Sequence, residues 1–392
     1  MHEKVQDTPE IIGENTEVHS PYYHGALDLL NAELQNHPSS EKNQETAKDI
    51  LDNIDQQGIE NFSVFKSKEF PGVNLPYVKI SLETLIDEIA PTLEQEEPTE
   101  KNDLSNEKAI YVISSGFAYP PAGHPFTPWD IAYDRVMDLL PKAIKARKKG
   151  QPIPDLYVLG SPNSLWGKVT PEWIEKLKTE GFSAYGKLCA ELLGPIFDQE
   201  KHHDTAPRVV LHGMSLGTAV VAETRKQLPT DIQDRTQLLL DNPVLSNNIL
   251  QVPIGFLLES VLRLVFDPKI KKSMSHEPEF YKQSERALRT LGIEPADSLE
   301  DVSLKKQAAM VDVKNLMKTK TFAEGNKTYI RLGLFDPVSF SLVRILERLR
   351  KYKRYTTHGL AATDNIYPIN TSHFIDRYRV KKWAKNIIGL DL

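Results

Sequence analysis

Residues Gly213-Met214-Ser215-Leu216-Gly217 spell G-x-S-x-G, directly after the apolar run RVVLH (208–212) and directly before the helical pattern TAVVAETRKQL. Small residues two positions either side of the serine allow a sharp strand-to-helix turn. Such a turn holds the central side chain in a strained backbone position at the end of a sheet. The helix N-terminus behind it offers backbone N–H groups and a partial positive charge to an oxygen that becomes negative. The chemistry this suits is acyl transfer, with Ser215 as nucleophile. The pentapeptide alone arises by chance in roughly one chain of this length in ten, so the strand before it and the helix after it carry the weight. A serine in an ordinary strand-to-helix turn is the plain alternative.

Other reactive residue types are less well placed. Cys189 is the only cysteine, which excludes an intramolecular disulfide and every cysteine-based metal cluster. Its neighbours Leu188, Ala190, Leu192 and Leu193 make it a small buried apolar residue. His202-His203-Asp204 has metal-ligand types but no third ligand at helical spacing, so it reads as a solvated loop and no metal is expected. Neither G-x-x-x-x-G-K-S/T nor G-x-G-x-x-G occurs, and phosphate cradling is unsupported. The basic stretches Lys142–Lys149 and Arg344–Arg354 read as solvated faces of helices, the second carrying Leu342, Ile345, Leu346 and Leu349 at helical spacing.

The elements that must position Ser215 follow from the rest of the chain. Its 392 residues are 40% hydrophobic and 26% charged, ordinary values for a globular chain with a packed core. The net charge of −6 gives no field that would attract nucleic acid. From Ala109 onward short apolar runs alternate with helical patterns, the rhythm of a parallel sheet covered on both faces. The runs are AIYVIS (109–114), DLYVLG (155–160), RVVLH, QLLLD (237–241), TYIRLG (328–333) and the weaker NIYPI (365–369). Helices are predicted over Ile131–Arg147, Pro171–Phe197 and Thr218–Leu228, the last ended by Pro229.

The acidic stretch EQEEPTEKNDLSNE (94–107) reads as a linker. It separates an N-terminal extension, 1–107, from a catalytic domain, 108–392. The extension has helical patterns near 25–34 and 45–56 and two strand-like runs, Phe62–Phe65 and Pro76–Leu82, that can pair as an edge hairpin. Between about 250 and 325 a helical insertion interrupts the sheet rhythm, and its helix Leu299–Lys318 follows a capping box at Ser298 and Asp301. The N-terminus has no signal-peptide pattern, so a cytoplasmic protein is the expectation. Accordingly, the N-x-S/T sequons at Asn61, Asn326 and Asn370 are taken as chance matches. The apolar stretch Val252–Phe266 is interrupted by Glu259 and Arg263 and is shorter than the ~20 residues of a membrane span.

With the elbow at 213–217 and these alternating units, the chain from about Ala109 to its end resembles the α/β-hydrolase superfamily. The resemblance implies an α/β fold with a mostly parallel central sheet, helices on both faces and a helical cap insertion. It also implies a triad in the chain order serine, acid, histidine. Strand TYIRLG runs into Leu334-Phe335-Asp336-Pro337, which looks like the family's acid turn and makes Asp336 the triad acid, with Asp241 at the end of the previous strand as the alternative. Only His358 and His373 follow Asp336. His373, after NIYPI and before the amphipathic segment Ile375–Ile388, resembles the family's catalytic histidine, with His358 as the alternative. The oxyanion donors implied are the N–H groups of Leu216 and of Phe117, in Ser115-Gly116-Phe117, where serine stands in place of the family's usual histidine.

The resulting expectation is a serine hydrolase that cleaves carboxylic esters through an acyl-enzyme, without a cofactor. An acyltransferase or thioesterase on the same triad, and a catalytically silent fold used for binding, are the alternatives. Val252–Phe266 is apolar on too many sides for one helical face, so Phe256, Leu258 and Leu262 are expected to line a pocket for a small or lipid-like acyl group, or to meet a lipid surface.

Overall fold

The computed structural model describes residues 57, 60–89, 108–114, 136, 139, 143–144, 146–147, 149–164, 166–200, 207–241, 243, 298–318, 328–333 and 366–369. Eight strands form one sheet: β1 Phe62–Lys66, β2 Asn74–Ser81, β3 Ala109–Ser114, β4 Asp155–Leu159, β5 Arg208–Met214, β6 Thr236–Asp241, β7 Thr328–Gly333 and β8 Ile366–Ile369. Their order is β1-β2-β4-β3-β5-β6-β7-β8. Every pair from β4 across to β8 is parallel, while β1 with β2 and β2 with β4 are antiparallel. The architecture is therefore α/β with a mostly parallel sheet, and all six predicted runs from Ala109 onward are strands of it.

The six helices with described bounds are α1 Leu82–Ile89, α2 Pro171–Glu180, α3 Phe182–Gln199, α4 Gly217–Gln227, α5 Thr230–Arg235 and α6 Leu299–Lys318. Strand alternation sends Ile110, Val112, Val209, Leu211, Leu238 and Leu240 to one face, where they form a core with Leu188, Leu192 and Leu193 of α3 and Ala219, Val220 and Val221 of α4. On the opposite face Val78, Ile80, Ile113, Leu156 and Val158 are equally buried. Both sides of the sheet are thus covered, as its uninterrupted apolar runs demand. Helices α3 and α4 cross closely at Gly186, where a Cβ would come within 2.7 Å of the Glu223 backbone.

The hairpin β1–β2, expected within the N-terminal extension, is built into the sheet through the pairing of Val78 with Val158 and its neighbours. Its turn is tied to α3 as well, since Glu191 accepts from the Ser67 hydroxyl at 2.5 Å and from the Lys68 N–H at 2.6 Å. The region predicted as one helix over Pro171–Phe197 is two. Thr170 caps the first by accepting from Trp173 N–H at 3.2 Å, with Pro171 in the first turn. Gly181, at φ 63°, then ends it by donating to Leu177 O at 3.1 Å, and the chain turns into α3. Scattered described residues of 131–147, including Val136, Leu139 and Ala143, are helical. Among the described residues no helix is long and apolar enough to cross a membrane.

Candidate functional site

Ser215 follows the last residue of β5, and α4 begins two residues later. It has φ 52°, the one positive φ outside glycine among the described residues. Left-handed backbone at a serine costs on the order of 1–3 kcal/mol and persists only where the surroundings impose it. Here they do so from two sides. The Ser215 N–H donates to Asp241 O on β6 at 2.9 Å, and the Ser215 carbonyl accepts from the Thr218 N–H at 3.1 Å and the Thr218 hydroxyl at 2.5 Å. Gly213 removes the remaining obstacle. A Cβ there would lie 2.4 Å from Gly217 O and 2.6 Å from Thr218 Cα, so only glycine lets the strand and helix come together. This is a strained strand-to-helix turn with a serine at its tip, at the end of a parallel strand.

The fold is α/β, with a mostly parallel sheet and a serine at positive φ after its central strand β5.

Leu216 follows with helical dihedrals, φ −58° and ψ −35°, at the N-cap of α4. The first intrahelical bonds come from Thr218 and Ala219, so the N–H groups of Leu216 and Gly217 precede them at the positive end of the helix. Ser215 is 5% exposed and Leu216 6%, so any anion formed there is held in surroundings largely shielded from water, where a donor counts for more. Phe117, Asp336, His373, the alternative base His358 and the insertion residues Phe256, Leu258 and Leu262 lie outside the described residues, as does His202-His203-Asp204. Of the predicted site, Ser215 and Leu216 are the described members.

Asp241, the alternative acid, is described. Its register partner across the sheet is Met214, and its carboxylate Oδ2 lies 2.7 Å from Nε2 of His212. Both side chains are buried, at 5% and 1% exposure. Sequence reasoning missed this pair. The signal was a polar residue closing each of two apolar runs, RVVLH and QLLLD, but only the strand register shows that the two meet.

A second buried polar cluster was also missed. Asp312 of α6 accepts from the Asn163 amide at 2.7 Å and the Tyr185 hydroxyl at 2.8 Å. Burial pushes the Asp312 carboxyl up to about 7 and the Tyr185 hydroxyl well above its usual range. Asn315, one turn on, donates to Leu177 O at 2.7 Å. These contacts fasten α6, the described helix of the insertion, to α2, α3 and the loop after β4. The lone thiol behaves as expected of a small apolar residue: burial pushes Cys189 up to about 12, far from a thiolate at neutral pH. Among the described residues no cluster could hold a metal ion.

No protein-family model matches the sequence, and no curated protein matches it. Solved structures do match in part. A hydrolase from Pseudomonas aeruginosa PA01 is 13% identical, with 80% of this chain and 91% of that one covered at a TM-score of 0.37. A thermophilic esterase from Thermogutta terrifontis gives the same identity, coverage and score. The siderophore hydrolase EstB from Aspergillus fumigatus is 13% identical over 83% of this chain and 98% of that one, at a TM-score of 0.33.

Proposed function

We propose that the protein is a serine hydrolase that cleaves carboxylic esters through an acyl-enzyme. The observation that carries this reading is Ser215 in left-handed backbone between the end of β5 and the N-terminus of α4. In the proposed reaction the Ser215 hydroxyl attacks the ester carbonyl while its proton passes to His373. Asp336 orients that imidazole and stabilises its charged form. The oxyanion of the tetrahedral intermediate is met by the N–H groups of Leu216 and Phe117. Collapse expels the alcohol, which takes the proton back from His373, and leaves Ser215 acylated. Water, deprotonated by the same histidine, then releases the carboxylic acid and restores the serine. Phe256, Leu258 and Leu262 are assigned to the acyl-binding side, and an ester of a small or lipid-like acid is the substrate class.

A fluorophosphonate probe and p-nitrophenyl esters test this directly. Wild type should be labelled and should hydrolyse the esters, and Ser215→Ala should do neither while remaining folded. Labelling of Ser215→Ala at the wild-type rate, or no labelling of wild type, would refute the serine nucleophile.

A further inference from the structure

Two contacts and the chain itself close a ring around the elbow. The chain runs His212-Gly213-Met214-Ser215, the Ser215 N–H donates to Asp241 O at 2.9 Å, and the Asp241 carboxylate meets His212 Nε2 at 2.7 Å. One residue of β6 therefore holds the nucleophile by its backbone and the strand leading to the nucleophile by its side chain. The register explains how. Met214 stands opposite Asp241 and His212 opposite Leu239, so His212 and Asp241 are diagonal neighbours on one face of the sheet. That face is the reverse of the one on which Leu211 and Leu240 pack against α3 and α4. The elbow is gripped from both faces: α4 presses on Gly213 from one, and the imidazole–carboxylate pair ties β5 to β6 from the other.

We infer that His212 and Asp241 are a positioning pair for Ser215. Neither acts on the reacting atoms; together they fix the end of β5 against β6 so that Ser215 keeps the left-handed backbone its reactivity requires. A hydrogen bond between two groups this deeply buried has no competing water. Loss of this contact would loosen the tie between β5 and β6 beside the strained residue, and relaxation of the strain would move the hydroxyl. Displacement by about 1 Å can cost on the order of a hundredfold in rate. This inference rests on Ser215 being the nucleophile.

The test measures the rate of fluorophosphonate labelling, and kcat and KM for p-nitrophenyl acetate, in His212→Leu, His212→Gln, Asp241→Asn and His212→Leu/Asp241→Asn. His212→Leu should lower labelling and kcat by on the order of tenfold to a hundredfold, with KM within about twofold of wild type. His212→Gln, whose amide can still donate to Asp241, should recover most of the loss. The double variant should be no worse than the poorer single one, since the two act as a unit. Leu85→Ala, a core truncation in α1 outside the cluster that holds Leu216 and α4, serves as the control for stability loss alone and should label at the wild-type rate. Equal slowing of Leu85→Ala, or wild-type labelling of folded His212→Leu, would overturn the inference. If His212→Leu does not fold, Asp241→Leu carries the same test, because it removes the side-chain partner of His212 and keeps the backbone bond to Ser215. A loss in Asp241→Asn greater than that in Asp336→Asn would make Asp241 the triad acid and overturn the positioning role. Failure of wild type to be labelled, by contrast, removes the nucleophile itself and the inference with it.

Discussion

Gly213 stands so close to Gly217 that a Cβ on it would lie 2.4 Å from the Gly217 carbonyl oxygen. The neighbour is backbone at the start of α4, and it cannot swing aside as the end of a flexible side chain could. Gly213→Ala must therefore push α4 away from β5 or twist the elbow. A stability loss of about 1–3 kcal/mol is expected from the overpacking, with a fall in esterase activity on the order of a hundredfold because Ser215 moves with the helix. Urea unfolding and the labelling rate check the two parts. A variant with wild-type stability and labelling would show that the close approach is dispensable.

The proposed triad predicts strongly non-additive kinetics. Ser215→Ala and His373→Ala should each lower ester hydrolysis by on the order of 10⁴ to 10⁶, and the double variant should be little worse than either. Asp336→Asn should cost less, since the imidazole remains and loses only its orienting partner. Steady-state rates decide. If His373→Ala keeps more than a tenth of the activity while His358→Ala loses it, the base is His358.

The sheet was legible in the sequence because parallel strands buried on both faces leave unbroken apolar runs, and AIYVIS and TYIRLG appear as β3 and β7 with unchanged bounds. The elbow was legible for a different reason: left-handed backbone and close packing admit few residue types, so the glycines mark it. Helix boundaries were less visible. Gly181 ends α2 by its dihedrals and not by any break in the apolar pattern, so one helix was expected where two exist. Helix α1 was hidden because Leu82, Leu85 and Ile86 continue the apolar character of β2 without a turn signal. The two buried polar clusters were not legible at all. His212 with Asp241 and Asn163 with Asp312 are 29 and 149 residues apart, and local pattern says nothing about which distant polar groups meet.

The apolar stretch of the insertion leads to a prediction about substrate preference. If Phe256, Leu258 and Leu262 bind the acyl chain, each buried methylene should contribute roughly 0.8 kcal/mol. The kcat/KM of p-nitrophenyl esters should then climb several-fold per CH₂ from two to about eight carbons. Leu258→Asp or Leu262→Asp should abolish the climb and leave the acetate ester unaffected. A wild-type preference for acetate over octanoate would remove these residues from the acyl site.

The Asp312 cluster makes stability depend on pH in a direction that can be worked out. The carboxyl is fully buried, and burial raises it from 3.8 to about 7, against the opposing pull of the Tyr185 and Asn163 hydrogen bonds. Between those two values the folded protein keeps a proton that the unfolded chain has released. The unfolded state then binds fewer protons, so the free energy of unfolding falls as pH rises, by up to about 1.4 kcal/mol per pH unit from this group. Its contribution is complete below about pH 4 and gone above about pH 7. Asp312→Asn keeps an acceptor for Tyr185 and Asn163 but cannot ionise, so its stability should lack this component. Urea unfolding of both proteins at pH 5, 6, 7 and 8 is the measurement. Wild-type stability relative to the variant should decline from pH 5 to 7 and level off by pH 8. A difference that stays constant over the whole range would mean that no carboxyl titrates near neutrality in this cluster.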